Sequence, residues 1–84
     1  MKILAVDDEK LGLEALVNAI QKTLPDAEVI GFNSSMEALS YAKENEIFAA
    51  CLDIHMPEML GSDLAKKLKS INPYIYIYYI CHRL

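Results

Sequence analysis

The sequence predicts an α/β fold in which helices flank one four-stranded parallel sheet. Short apolar runs alternate along the chain with longer segments whose apolar residues recur at helical spacing. Strands and helices that alternate in this way form a parallel sheet with right-handed crossovers. No linker-like or repeated segment interrupts the 84 residues. We therefore expect one small domain over residues 1–84, with the strand order 2-1-3-4.

The first strand is predicted at residues 2–6, because this apolar run is too short for a helix and ends at Asp7-Asp8. Three later runs are apolar and short as well, and β-branched and aromatic residues mark the second and the fourth. They predict strands at residues 27–32, 48–52 and 75–81.

The first helix is predicted from about residue 9 to residue 24, because apolar residues recur there with the i, i+3, i+4 rhythm of a helix. These residues are Leu13, Leu16, Val17, Ile20 and Leu24. Gly12 weakens the first turn by roughly 1 kcal/mol relative to alanine. Pro25 ends the helix.

Two further helices follow the same logic. Ser34 and Glu37 have the Ser-x-x-Glu spacing of a capping box, which predicts a helix that runs to about residue 45. A third helix is predicted to end at Asn72-Pro73. Its buried face is predicted to consist of Leu60, Leu64, Leu68 and Ile71.

Composition restricts the class of protein. Apolar residues make up 54% and charged residues 24% of the chain, which indicates a globular domain and not a disordered one. The net charge of −4 disfavours direct binding to nucleic acid or to anionic membranes. No signal-peptide pattern and no membrane-spanning apolar run is present, so a cytoplasmic location is expected. Cys51 and Cys81 are expected to be small buried apolar residues, not a disulfide.

Three acidic residues close two of the predicted strands. Asp7-Asp8 follow the first strand and Asp53 follows the third. In doubly wound sheets the ligand crevice lies at the carboxyl ends of strands where the strand order reverses, which here falls between these two strands. Three like charges in one place need a hard cation or raised pKa values. The pattern therefore predicts a metal-assisted site.

A structural role for the acidic pair is the alternative. Asp7 or Asp8 could act as the N-cap of the helix that begins near Glu9. Two features favour the functional interpretation. The third carboxylate comes from the neighbouring strand, and Met56-Pro57 follow it at a short offset, where proline keeps the loop from becoming helical.

These motifs resemble those of a bacterial response-regulator receiver domain. The resemblance is carried by Ala5-Val6-Asp7-Asp8-Glu9, by Leu52-Asp53-Ile54-His55-Met56-Pro57, and by Gly61 with its following helix. It covers residues 1 to 80 and implies a flavodoxin-like (CheY-like) sheet. The opening Lys-Ile-Leu-Ala-Val-Asp-Asp-Glu and the ending Ile71-Asn72-Pro73 are similar to receivers that precede LytTR-type DNA-binding domains.

The resemblance implies a role for each site residue in two-component signal transduction. Asp53 would accept a phosphoryl group from a phosphohistidine on a sensor histidine kinase. Asp8 and Asp53 would bind Mg²⁺ directly and Asp7 through water, and the main-chain carbonyl of His55 would supply a further oxygen. Such a domain is a phosphoacceptor and not an enzyme. The ring of His55 is expected to point outward. A zinc role for His55 is not favoured, because no second histidine lies nearby.

The chain also departs from the family. A complete receiver has a serine or threonine at the end of its fourth strand, a lysine at the end of its fifth, and a fifth helix. None can be matched here: Cys81 stands near the hydroxyl position, and Lys10 belongs to the first helix. We therefore expect a truncated receiver that keeps the acidic Mg²⁺ pocket but has weak or no phosphorylation switching. Codons exist for residues 79–84 that, shifted by one base, encode Ile-Ser-Ala-Thr-Gly-Tyr, which suggests a frameshift that the gene sequence can test.

Truncation implies an open edge on the fourth strand, and such an edge invites pairing with another chain, so we expect a homo-oligomer. Two other functions remain open. One is a non-switching interaction module that titrates a kinase or a full-length regulator. The other is a small phosphohydrolase, which is less favoured because His55 and not a second acid stands two residues after Asp53.

Overall fold

A computed structural model describes residues 1–80 of the chain, so the predictions for Cys81 lie outside the described residues. Four strands alternate with three helices. The strands are β1 (Lys2–Val6), β2 (Glu28–Phe32), β3 (Ala49–Asp53) and β4 (Tyr76–Ile80). The helices are α1 (Lys10–Thr23), α2 (Ser35–Glu44) and α3 (Gly61–Ile71).

The four strands form one parallel sheet with the order β2-β1-β3-β4, which confirms the predicted fold class and strand order. Val6 at the end of β1 lies beside Phe32 of β2 and Leu52 of β3. The carboxyl ends of the three strands are therefore level. The strand order reverses between β1 and β3, which is where a ligand crevice forms in sheets of this kind.

Helices lie on both faces of the sheet, and the larger core is on the face covered by α2 and α3. Leu4 of β1 and Leu52 of β3 are fully buried there against Leu64 of α3. On the opposite face a smaller cluster joins Ile3 to Ile20 of α1. Successive side chains of a strand point to opposite faces, so β1 contributes to both cores.

The predicted apolar face of α3 is correct in its middle and wrong at its ends. Leu64 and Leu68 are buried, but Leu60 is 50% exposed and Ile71 is 39% exposed. Leu60 precedes the helix with an extended backbone, so it does not follow the helical spacing. Ile71 is the last helical residue. Ala65, which the apolar pattern did not single out, is buried between the two leucines.

Cys51 is half-buried, which corrects the expectation of a buried cysteine. It lies on the face with the smaller core, in an open apolar groove between α1 and β4 that is also lined by Ile20 and Tyr78. Partial burial raises the pKa of the Cys51 thiol.

β4 is largely exposed, although apolar and aromatic residues on both faces of a strand are typical of a buried parallel strand. Tyr76, Tyr78 and Tyr79 each expose half or more of their surface, while Ile77 packs against the larger core. Within residues 1–80, no helix has the length and apolar character needed to cross a membrane.

Candidate metal site at the carboxyl ends of β1 and β3

Three carboxylates meet at the point where the strand order reverses. One oxygen from each of Asp7, Asp8 and Asp53 lies within 4.8 Å of the other two. Asp7 is fully buried and Asp53 is 7% exposed, whereas Asp8 is exposed. The cluster is therefore buried at Asp7 and Asp53 and open to solvent at Asp8.

The sheet register brings these residues together. Asp53 is the last residue of β3, and Asp7 directly follows Val6, whose neighbour in β3 is Leu52. The backbone N–H of Asp7 donates to the carbonyl of Phe32 at 3.1 Å, so the sheet holds the chain one residue beyond β1. The predicted convergence of residues some forty-five positions apart is thus observed.

Asp7 does not act as the N-cap of α1, and neither does Asp8. The N-cap is Glu9, whose own side chain makes no capping hydrogen bond. The backbone N–H of Glu9 instead donates to Oδ1 of Asp7 at 3.0 Å. The alternative prediction that Asp7 or Asp8 caps α1 is therefore wrong. The chain turns from β1 into the helix over residues 7–9, so the N-cap position falls on Glu9. Asp7 holds that turn while its side chain stays in the site.

Gly12 lies directly against Asp7, a contact that the sequence did not reveal. A Cβ on Gly12 would stand 2.5 Å from Oδ2 and 3.1 Å from Cγ of Asp7. Glycine at this position lets the first turn of α1 approach the buried carboxylate. No spacing rule could have identified it, because glycine early in a helix indicates only lower helix propensity.

The loop after β3 is held at both ends. The backbone N–H of His55 donates to Oδ1 of Asp53 at 3.3 Å, and the N–H of Gly61 donates to the carbonyl of Ile54 at 3.0 Å. A Cβ on Gly61 would stand 2.5 Å from the carbonyl oxygen of Asp53, so a side chain there would separate α3 from the end of β3. The side chain of His55 is exposed, as expected, and borders an open groove with Asp8 and Pro57.

The side chains of this cluster match what Mg²⁺ requires. All three offer carboxylate oxygens, and hard cations such as Mg²⁺ are bound by oxygen ligands with several waters retained. The exposure of Asp8 leaves one side of the cluster open to solvent. A cation would also relieve the repulsion among three negative charges within 4.8 Å.

Glu58, which the sequence motifs did not single out, joins the loop after β3 to α2. Its Oε1 accepts hydrogen bonds from Ser34 Oγ at 2.9 Å, Ser35 N at 3.0 Å and Ser35 Oγ at 3.2 Å. The hydrogen bond from Ser34, followed by those from Ser35 and from the Met36 backbone, lowers the pKa of Glu58.

The predicted capping box is half confirmed. Ser34 is the N-cap of α2, and its side chain accepts a hydrogen bond from the backbone N–H of Glu37 at 3.3 Å. The carboxylate that binds the start of this helix, however, belongs to Glu58. It comes from another loop, so local sequence could not show it.

The chain is similar in sequence and in fold to known proteins. The family model described as "Response regulator receiver domain" matches residues 3–83. The chain is 34% identical over 86% of its length to the protein-glutamate methylesterase/protein-glutamine glutaminase of Agrobacterium fabrum. It is 37% identical over 83% of its length to the transcriptional regulatory protein NatR of Bacillus subtilis. It spans only 20% of the first protein and 30% of the second.

The solved structure of a response regulator receiver domain protein from Clostridium thermocellum superimposes with a TM-score of 0.76 at 30% identity. The match covers 95% of this chain and 64% of that one. The proposed LytTR-type subclass stays a prediction. The family model, the relatives and the shared fold agree with the acidic cluster at the reversal of strand order, and the chain belongs to the response-regulator receiver domain family.

Proposed function

We propose that this receiver domain takes a phosphoryl group from a sensor histidine kinase onto Asp53, with Mg²⁺ bound by the acidic cluster. The observation that carries the proposal is the convergence of Asp7, Asp8 and Asp53 within 4.8 Å at the carboxyl ends of β1 and β3. Membership of the receiver family supports the same partner and the same chemistry.

Each residue of the cluster has a distinct proposed part. Asp8 and Asp53 would bind the cation directly, Asp7 would bind it through water, and the main-chain carbonyl of His55 would supply a further oxygen. Bound Mg²⁺ supplies positive charge that offsets the charge on the transferring phosphoryl oxygens. The burial of Asp7 and Asp53 keeps both carboxylates in place before the partner arrives.

The reaction is a substitution at phosphorus. A carboxylate oxygen of Asp53 forms a new P–O bond while the P–N bond of the phosphohistidine breaks, and the electron pair of that bond stays on the imidazole. The carboxylate is itself the nucleophile, so the step needs no general base to remove a proton from it. Asp53 is 7% exposed, and the open side next to Asp8 gives the phosphoryl group its approach.

Acetyl phosphate with Mg²⁺ tests this proposal without the unidentified kinase. The intact mass of the chain is expected to increase by one phosphoryl group, and the increase should vanish in Asp53→Asn and when Mg²⁺ is chelated. Asp26→Asn is the matched control, because Asp26 is an exposed acidic residue of the turn between α1 and β2.

An unmodified wild-type chain under these conditions would refute phosphoacceptor function. The alternative would then be the non-switching module that titrates a kinase or a full-length regulator. That alternative predicts binding to the partner that Asp53→Asn leaves unchanged.

We also propose that the exposed β4 edge pairs with a second copy of the chain. β4 is the outermost strand within residues 1–80, and it carries three tyrosines that are half or more exposed. An edge strand offers unpaired backbone groups to another strand. Direct nucleic-acid binding by this segment is not part of the proposal, because the net charge of −4 opposes it.

A further inference from the structure

The loop between β3 and α3 carries the main chain of His55, so its position affects the proposed metal site. This loop covers residues 54–60. The hydrogen bond from Gly61 to Ile54 closes it at its base. Met56 is 7% exposed and packs into the larger core. Between Met56 and the start of α3, Met59 is partly buried against the larger core. Glu58 in the same stretch accepts hydrogen bonds from Ser34 and Ser35 at the start of α2.

The start of α2 is well suited to bind a carboxylate such as that of Glu58. The first N–H groups of a helix have no partner within the helix, and the helix dipole favours negative charge at that end. Oε1 of Glu58 accepts from one such N–H, that of Ser35, and from two hydroxyl groups. The side chain of Ser35 is 1% exposed, so its hydroxyl is part of a packed surface and not a mobile group.

We propose that Glu58 is a positioning residue for the metal site: by binding the start of α2, it holds the loop so that the His55 main chain faces Asp53 and Asp8. We call this contact between Glu58, Ser34 and Ser35 the Glu58 clasp. This inference depends on the Mg²⁺ site of the proposed function. Glu58 itself would touch neither the cation nor the phosphoryl group.

The clasp acts through geometry and not through net charge. Glu58→Ala removes the hydrogen bonds from Ser34, Ser35 and the Met36 backbone together with one negative charge, whereas Glu58→Gln keeps a side-chain oxygen that can accept them. Glu44→Ala removes the same charge from the opposite end of α2, where Glu44 is exposed. A positioning role therefore predicts a defect in Glu58→Ala that Glu58→Gln largely restores and that Glu44→Ala does not show.

Two measurements on the whole chain test the clasp. The first is Mg²⁺ affinity, followed through backbone amide shifts during a titration with MgCl₂. Residues that orient metal ligands typically change affinity by 10-fold or more when they are replaced, so we expect a loss on the order of tenfold in Glu58→Ala. The second is amide hydrogen exchange at His55 without metal, which should become faster in Glu58→Ala alone.

The outcomes separate this inference from the proposed function. A wild-type chain that does not bind Mg²⁺ refutes the metal site, while slower exchange at His55 in wild type than in Glu58→Ala would still support the clasp. Equal exchange at His55 in both chains overturns the clasp itself. If Glu58→Ala is less stable to urea but binds Mg²⁺ as tightly as wild type, the contact is merely structural and the positioning role is wrong.

Discussion

Asp7 shows how a single residue of this chain serves both fold and site. It is fully buried, its Oδ1 accepts the N–H of Glu9, and an oxygen of its carboxylate lies within 4.8 Å of those of Asp8 and Asp53. The sequence predicted that these carboxylates meet, because strand ends in a parallel sheet share an edge. It could not predict which of the two adjacent aspartates is buried, since that depends on how the chain turns into α1.

Gly12→Ala tests the contact between α1 and Asp7. Alanine in a helix is favoured by roughly 1 kcal/mol over glycine, but here its Cβ would stand 2.5 Å from Oδ2 of Asp7. We expect the free energy of unfolding to rise by less than the propensity difference and Mg²⁺ affinity to fall, as measured by urea unfolding and by calorimetric titration.

Asn18→Ala is the control for Gly12→Ala, because Asn18 occupies an exposed position in the same helix. It should leave Mg²⁺ binding unchanged. A Gly12→Ala chain that gains the full propensity difference and binds Mg²⁺ like wild type would show that Asp7 moves aside without consequence.

The elements follow the sequence pattern in their interiors and depart from it at their ends. Leu64 and Leu68 of α3 are buried as the helical spacing predicts, whereas Leu60 and Ile71 are not. Periodicity describes residues with helical dihedral angles, and Leu60 has an extended backbone. The boundaries of α1 and β2 likewise differ by one residue from the predictions, since the apolar pattern does not locate the terminal hydrogen bonds.

The exposed edge of β4 leads to a prediction about self-association of the chain. If β4 pairs with a second copy, the wild-type chain should sediment as a dimer or larger species whose proportion rises with concentration. Tyr78→Lys places a charge on this strand, which disfavours edge pairing, and should shift the chain toward monomer. Tyr78 is 57% exposed, so the change leaves the core intact.

Tyr74→Lys provides the comparison for Tyr78→Lys. Tyr74 is 88% exposed and precedes β4, so a lysine there should leave the assembly unchanged. A dilute wild-type sample that sediments only as a folded monomer would contradict pairing through β4.

For the molecule as a whole, the alternation of strands and helices predicted a parallel sheet, and the strand order 2-1-3-4 known from doubly wound sheets placed the aspartates at one edge. The contact of Glu58 with Ser34 and Ser35 could not be predicted. It joins the loop after β3 to the start of α2, about twenty-three residues away along the chain, and no periodicity or local motif encodes such a contact. The sequence pattern therefore predicts the arrangement of strands and helices, whereas the side-chain contacts that support the site are visible only in the structure.

Calorimetric titration with MgCl₂ tests most directly whether the acidic cluster is a cation site. The wild-type chain should show one saturable site, and Asp8→Asn and Asp53→Asn should each abolish or strongly weaken it, because each removes a carboxylate from the three that lie within 4.8 Å. Asp26→Asn should bind like wild type. Equal Mg²⁺ binding in wild type, Asp8→Asn and Asp53→Asn would contradict the account.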